Sequence, residues 1–186
     1  MIYQIKISLS NIKPEIWRRV YVDPETSLYY LHHIIQIVMG WENYHLYEFQ
    51  LNRKRYGNRD LLEDGSVFDD RSTPLSYVLT EAKDSISYLY DFGDSWKHSL
   101  KLEKISEPAK VLSPKCIDGK LNTPPEDCGG VPGFYHFIEI MSDRKHPEFK
   151  STRKWYGGDY NPEFIDLDAI NADLENLEDY IKLYED

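Results

Sequence analysis

The sequence predicts an α+β fold, in which a mostly antiparallel sheet of about five or six strands carries helices packed mainly on one face. Several short segments place apolar residues at every second position, which is typical of strands with one buried face. Other segments repeat apolar residues at spacings of three and four, which is typical of amphipathic helices. The predicted strands follow one another as hairpins, which favours antiparallel pairing. With 186 residues the chain can bury a sizeable core, so we expect residues 1–186 to form a single domain.

A hairpin and a helix are predicted at the N-terminus. Residues 3–9 and 15–22 alternate on either side of a turn at 11–14, which indicates two antiparallel strands. From Ser27 the apolar spacing becomes helical, and Gly40 ends the run as glycine commonly does just after a helix. This helix is expected to pack its apolar stripe on the sheet.

Arg18 falls on the apolar face of the second predicted strand, together with Ile16 and Val20. A buried charge without a partner is costly. Arg18 is therefore expected to have a carboxylate partner or to lie at the edge of the sheet, and we favour the edge.

The middle of the chain is less regular. A third strand is predicted over residues 45–51, because apolar and aromatic residues alternate there. Residues 52–72 show no clear period and are interpreted as turns. Thr73 and Pro74 form an N-cap and first-turn pair that opens a short helix ending near Leu79.

The second half contains a further hairpin, a long loop and two helices. Residues 84–90 and 96–105 are predicted to be paired strands, and the proline- and glycine-rich stretch 106–133 is interpreted as one long loop. Helices are predicted over residues 133–142 and at the C-terminus. The C-terminal helix carries an apolar stripe of Leu167, Ile170, Leu174, Leu177, Ile181 and Tyr184. Packing of this stripe within its own domain is favoured, and a homodimer seam is the alternative.

Charge and cysteine content exclude several classes of protein. The net charge is −10 and the isoelectric point is near 5.1, so the chain repels nucleic-acid phosphates and direct nucleic-acid binding is not expected. Two cysteines are too few for a disulfide scaffold. The N-terminus does not resemble a signal peptide, and no apolar run is long enough for a membrane span. We therefore expect a cytoplasmic protein without membrane contact.

Two loops place paired carboxylates beside glycine. Asp91 and Asp94 flank Gly93 in the turn of the second hairpin, and Glu126 and Asp127 precede a pair of glycines in the long loop. These four carboxylates are candidate ligands for a divalent cation such as Mg²⁺, Mn²⁺ or Ca²⁺, or an acid and base pair. Turn capping by Asp and a rigid loop that caps the following helix are the alternatives.

Other side chains near these loops extend the candidate binding site. Trp96 and His98 follow the hairpin turn, and Asp159 lies in an aromatic, glycine-rich segment. The complete candidate set is Asp91, Asp94, Trp96, His98, Glu126, Asp127 and Asp159. His98 and His45 both lie in alternating strand patterns, where a histidine is usually a core residue.

Cys116 and Cys128 are weaker candidates. They are not arranged as a closely spaced pair, and zinc needs about four ligands, so two or three histidines would have to complete the site, to which His98 and His136 could contribute. Cys128 would act as a nucleophile only with a histidine nearby.

Four segments together resemble the plasmid-Ri ORF-three-like family. They are Lys13–Arg19, Leu31–Trp41, Tyr90–Trp96 and Pro124–Phe134, and the resemblance extends from about Tyr3 to Ile170. Relatives often have a cysteine immediately before the two prolines, where this chain has Thr123. Some members carry a resolvase label, but this chain shows no recognisable serine- or tyrosine-recombinase arrangement.

The function favoured by these observations is a non-catalytic binding module with an acidic, aromatic-rimmed loop site. Its partner would be a protein, or a small cationic or polar ligand. One alternative is a metal-dependent hydrolase, in which Asp91, Asp94, Glu126 and Asp127 hold the cation and His98 is the acid or base. A DNA-processing accessory of mobile elements is a third hypothesis, suggested by family context alone. The first two hypotheses require the two loops to meet in space.

Overall fold

A computed structural model of the protein describes residues 1–59, 65–107 and 113–184. Within these residues the chain forms one eight-stranded sheet and six helices. The strands are β1 Ile2–Leu9, β2 Trp17–Val22, β3 Tyr47–Leu51, β4 Lys54–Gly57, β5 Val67–Asp69, β6 Ser85–Tyr90, β7 Trp96–Ser106 and β8 Lys115–Lys120. The helices are α1 Leu28–Met39, α2 Leu75–Val78, α3 Gly130–Ser142, α4 Phe149–Tyr156, α5 Leu167–Glu175 and α6 Leu177–Lys182.

The strand order is β5-β4-β3-β6-β7-β1-β2-β8, and every neighbouring pair is antiparallel except β4 and β5. The α+β class with a mostly antiparallel sheet is confirmed, but the count of five or six strands is wrong. The additional strands are β4, β5 and β8. Strands β4 and β5 have only four and three residues, and β8 contains Gly119 and lies in the proline- and glycine-rich stretch, so none of them shows a clear apolar alternation. Residues 60–64 and 108–112 of the two stretches interpreted as loops lie outside the described residues.

One face of the sheet is buried and the other is only partly covered. In β1, Ile5 and Ile7 are fully buried, whereas Gln4 and Lys6 on the opposite face are partly exposed. Helices α1, α3, α5 and α6 contribute buried side chains to the same hydrophobic cluster as the strands. The helical layer therefore lies on the face to which Ile5 and Ile7 point, as predicted.

Helix α1 is the central helix of this layer. Its N-terminus is capped by Ser27, whose hydroxyl accepts a hydrogen bond from the Tyr30 amide at 3.3 Å. Its C-terminus is closed by Gly40 at φ 66°, a backbone conformation that favours glycine. Both ends agree with the prediction, and because α1 lies between the sheet and helices α5 and α6 it is buried on nearly all sides.

Arg18 is buried inside the molecule, with 2% of its surface exposed. Strand β8 lies beyond β2, so the expected edge position is wrong. The guanidinium donates hydrogen bonds to backbone carbonyl oxygens of four residues: Val38 at 3.1 Å, Trp17 and Leu121 at 2.9 Å, and Lys120 at 3.4 Å. Backbone carbonyls therefore replace the expected carboxylate partner, and burial lowers the pKa of Arg18.

The C-terminal stripe is divided between two helices. Helix α5 ends at Glu175 and α6 begins at Leu177, with Asn176 between them, so the prediction of one continuous helix is wrong. Leu174, Leu177 and Ile181 are buried against the remainder of the same chain. The centre of the stripe therefore packs within its own chain, as the sequence favours, while Leu167 and Ile170 are partly exposed and Tyr184 is 37% exposed.

Across the described residues, no helix has both the length and the apolar character that crossing a bilayer requires.

Candidate functional site

The two carboxylate-bearing loops meet in space. Asp94 Oδ2 accepts a hydrogen bond from the backbone amide of Gly129 at 3.0 Å. Gly130 adopts φ 66°, and a Cβ atom at this position would lie 2.5 Å from the backbone oxygen of Asp94. Glycine is therefore required both by the backbone conformation and by the closeness of the two loops.

The hairpin turn is built around Asp91. This residue adopts φ 55°, and its Oδ1 accepts a hydrogen bond from the Gly93 amide at 2.8 Å, while its carbonyl oxygen accepts one from the Ser95 amide at 2.6 Å. Aspartate tolerates this conformation because its short side chain bonds locally to the backbone. The turn therefore fixes Oδ1, and Oδ2 is directed toward His45 Nε2 at 3.7 Å.

A third segment, between α1 and β3, joins the two loops. Trp41 Nε1 donates a hydrogen bond to the carbonyl oxygen of Pro124 at 2.9 Å, and the Glu42 amide donates one to Glu126 Oε2 at 2.6 Å. His45 then lies beside Asp127, with 3.0 Å between Nε2 and Oδ1. The segment is thus held against the long loop at three points.

His45, Asp91 and Asp127 together form what we call the carboxylate–histidine cluster. Each offers one potential ligand atom, and these atoms all lie within 4.8 Å of one another. The cluster is open to solvent on one side, since the side chains of His45 and Asp127 are 28% and 64% exposed. Asp91 forms the inner wall, with its side chain 11% exposed.

Asp94 and Glu126 hold the loops together by hydrogen bonds and are not members of the cluster. Glu126 accepts hydrogen bonds from the Tyr90 hydroxyl and the Glu42 amide, and Asp94 accepts one from Gly129. Burial, and then the hydrogen bond to Glu126, raise the pKa of Tyr90, so its hydroxyl keeps its proton and remains a donor. Of the four carboxylates expected to hold a cation, only Asp91 and Asp127 converge on one point.

Trp96 and His98 are core residues, and their assignment to an open binding site is wrong. Each is 1% exposed. The Trp96 ring packs 5.8 Å from the Trp41 ring, and His98 Nδ1 lies 3.1 Å from the Trp96 carbonyl oxygen. Burial lowers the pKa of His98 to about 3, so the ring is neutral at physiological pH and cannot supply protons there as an acid.

Asp159 belongs to a different surface. Its carboxylate pairs with Arg153 at 2.7 Å and lies 3.8 Å from Arg144, and its side chain is 57% exposed. The hydrogen bond from Arg153 lowers the pKa of Asp159. This aspartate serves an exposed ion pair beside α4, and the structure does not bring it to the cluster.

The cysteines also lack the surroundings of a reactive or metal-binding site. Cys116 is buried in β8, and burial together with nearby Asp94 raises the pKa of Cys128 to about 12. A thiol with such a pKa stays protonated at neutral pH and is a poor nucleophile. Among the described residues, the grouping suited to a metal ion contains neither cysteine.

His45 is the site residue that sequence reasoning assigned to the core. It alternates with Tyr47 and Phe49, so the strand pattern extends over it, but strand β3 begins only at Tyr47. His45 lies in the preceding irregular segment. The sequence contains no separate signal for this position, because a half-buried histidine just before a strand has the same spacing as a buried one within it.

Comparisons with known proteins give a consistent family and fold. A family model described as plasmid pRiA4b ORF-3-like protein matches residues 1–169. The uncharacterized protein y4hQ of Sinorhizobium fredii (strain NBRC 101917 / NGR234) is 34% identical over 178 residues, covering 95% of this chain and 92% of that protein. The crystal structure of MM3350, a protein of unknown function from Methanosarcina mazei Go1, has 35% identity and a TM-score of 0.80, covering 90% of this chain and 96% of that chain.

Proposed function

This chain belongs to the plasmid pRiA4b ORF-3-like family, and we propose that it is a non-catalytic binding module that binds a cationic group at the carboxylate–histidine cluster. The observation that carries the proposal is the convergence of Asp91 and Asp127, from two distant loops, on His45. Even with a protonated imidazole, two carboxylates leave the cluster with a net negative charge. A positively charged ligand group is therefore the natural complement.

The surroundings of the cluster support binding by a preformed site. Hydrogen bonds from Trp41, Glu42 and Gly129 hold the three segments together without using the cluster's outward-facing oxygens. A site that is ordered before its ligand arrives avoids part of the entropy cost of binding. Tyr44 and Phe92, next in sequence to His45 and Asp91, are 68% and 43% exposed. Exposed aromatic rings are therefore present in the segments that carry His45 and Asp91, and aromatic faces attract cations.

The same observations favour binding over hydrolysis. A metal-dependent hydrolase needs a group that accepts and returns a proton near neutral pH. The residue expected to do this, His98, is buried with a pKa near 3, and Asp94 and Glu126 are engaged in hydrogen bonds between the loops. The DNA-accessory hypothesis still rests on family context, and the net charge of −10 opposes it.

A cytoplasmic location is part of the proposal. Both cysteines are free thiols, and a free, partly exposed thiol such as Cys128 is compatible with a reducing compartment. The partner envisaged is a protein that presents a lysine or arginine side chain, or a small organic cation.

A titration with model cations tests this function. Amide chemical shifts of the ¹⁵N-labelled chain would be followed while N-acetyl-lysine methylamide or N-acetyl-arginine methylamide is added. We expect shift changes at residues 43–46, 90–95 and 126–130, and their loss in the Asp91→Asn, Asp127→Asn double variant. N-acetyl-glutamate methylamide is the matched anionic control and should leave these shifts unchanged. Equal responses to the anion and the cations, or responses confined to other surfaces, would contradict the proposal.

A further inference from the structure

We infer that His45, Asp91 and Asp127 hold one divalent transition-metal ion, of the class that includes Zn²⁺ and Mn²⁺. This inference rests on the proposed function, because the ion would be bound at the same cluster and would itself be the cationic group. It differs from the cation site expected from sequence, which used Asp91, Asp94, Glu126 and Asp127 and no histidine.

The spacing of the three side chains suits a shared ion. His45 Nε2 lies 3.0 Å from Asp127 Oδ1 and 3.7 Å from Asp91 Oδ2. All three potential ligand atoms fall within 4.8 Å of one another. Two ligands bound at about 2.1 Å to one tetrahedral ion lie roughly 3.4 Å apart. Small side-chain rotations would therefore bring all three atoms to coordination distance, without movement of the loops.

Asp91 gives an independent reason to expect a cation. It is 7% exposed, and burial of a carboxylate is costly unless a positive charge or hydrogen bonds compensate for it. Oδ1 accepts a hydrogen bond from the Gly93 amide. Oδ2 lies 3.7 Å from His45 Nε2, a distance too long for a hydrogen bond. Within the described residues, His45 is the sole ion-pair partner of this carboxylate at salt-bridge distance. Nε2 already lies 3.0 Å from Asp127 Oδ1, so an ion held by all three side chains would replace that contact and give Oδ2 a cationic partner.

The ligand set selects the class of metal. Mg²⁺ and Ca²⁺ bind oxygen ligands, whereas an imidazole nitrogen suits Zn²⁺ and other transition metals. Three protein ligands leave at least one coordination position for a water molecule or a ligand atom. Because His45 and Asp127 are partly exposed, this open position faces solvent, where a partner's oxygen or nitrogen could complete the coordination sphere.

Calorimetric titration of the full chain, first dialysed against a chelator, tests the inference. Zn²⁺ and Mn²⁺ should each bind at one site, with Zn²⁺ the tighter, and Mg²⁺ should give no comparable heat. His45→Asn, Asp91→Asn and Asp127→Asn should each weaken Zn²⁺ binding by about tenfold or more, since loss of an outer-shell partner alone costs about 10- to 100-fold. Asn suits both aspartate positions because it tolerates their positive φ and keeps a side-chain oxygen.

His136→Asn is the matched control. His136 Nδ1 lies 3.6 Å from Glu139 Oε2, a histidine–carboxylate pair spaced like His45 and Asp91, and among the described residues it is not part of a group of three potential ligands. This variant should bind Zn²⁺ as the parent does. Circular dichroism in metal-free buffer would establish that each variant is folded.

The outcomes separate this inference from the proposed function. Zn²⁺ binding that survives in His45→Asn, or Mg²⁺ binding as tight as Zn²⁺ binding, would overturn the metal assignment. If no metal binds but the lysine or arginine probes still change the amide shifts, the metal assignment is wrong and the proposed binding module is supported. Absence of a response to metals and to organic cations alike would remove both.

Discussion

At the scale of single residues, two histidines with similar sequence context differ in burial, and this difference decides which of them can bind a ligand. His45 and His98 both alternate with apolar neighbours, so the sequence places both in the core. His98 is indeed enclosed, and its neutral ring packs near Trp41 and Tyr88. His45 lies just before its strand and faces two carboxylates. Which histidine can bind a ligand is decided by the exact start of β3, which spacing alone does not determine.

Protonation of His98 should make stability sensitive to acid. Its pKa is about 3 in the folded chain and near 6.5 when unfolded, so the unfolded state takes up the proton first. This contribution to stability is complete above pH 6.5 and is lost as the pH falls toward 3. Between pH 7 and pH 5, the free energy of unfolding should fall by about 2 kcal/mol more in the parent than in His98→Gln. Urea unfolding at both pH values measures this, and equal losses would contradict the neutral, buried assignment.

Arg18 should be needed for its hydrogen bonds more than for its charge. Arg18→Met would remove the donor from the buried Val38 carbonyl oxygen and from partly buried ones such as that of Leu121, at a cost of about 2–4 kcal/mol in the free energy of unfolding. Arg18→Lys keeps the charge but lacks the planar fork of donors, so it should not restore stability. Urea unfolding would show this, and a stable Lys variant would contradict the hydrogen-bonding role.

At the scale of elements, segments with a regular apolar spacing or a clear capping signal were predictable, and strands without either were not. Helix α1 has a capping serine, twelve regularly spaced residues and a closing glycine, and both of its ends were predicted. Strand β5 has three residues, and its place in the sheet is fixed by hydrogen bonds to β4, which leave no mark on local spacing. The C-terminal stripe predicted the buried face of α5 and α6, but not the break at Asn176, because the apolar spacing continues across it.

Gly130 should be a sensitive backbone position where the two loops meet. Gly130→Ala adds the strain of φ 66° and a clash with the Asp94 carbonyl oxygen. Gly157→Ala is a matched control, since Gly157 has φ 88° but no atom within 4 Å of the added Cβ. We expect Gly130→Ala to lose about 1–2 kcal/mol more in the free energy of unfolding than the control. Equal losses by urea unfolding would show that the loops are not in close contact.

The stripe on α5 and α6 should act within one chain. Leu174 is fully buried, so Leu174→Ala should lower the free energy of unfolding by about 2–5 kcal/mol. Leu183 lies on the same C-terminal segment but is 76% exposed. Leu183→Ala should therefore change the free energy of unfolding by less than about 0.5 kcal/mol. Thermal unfolding at several protein concentrations measures both. A loss that depends on concentration would indicate a dimer seam instead.

At the scale of the whole molecule, one site is assembled from segments far apart in the chain. His45 and Asp127 are separated by 82 residues, and Asp94 and Gly129 by 35. Sequence could identify the hairpin turn and the long loop, because carboxylates beside glycine stand out from core chemistry. The sequence could not assign a role to each carboxylate: Asp91 and Asp127 belong to the cluster, whereas Asp94 and Glu126 hold the loops together. That division depends on where the segment 41–46 crosses them, which is a property of the complete fold.

Anomalous diffraction from crystals grown with Zn²⁺ would locate the ion and the loops together. The convergence of the loops predicts one strong peak about 2.0–2.2 Å from His45 Nε2 and from a carboxylate oxygen of both Asp91 and Asp127. The convergence of the loops would be contradicted by a map that has no density between these three side chains and shows the loops at 91–94 and 124–130 apart, with their carboxylates directed separately into solvent.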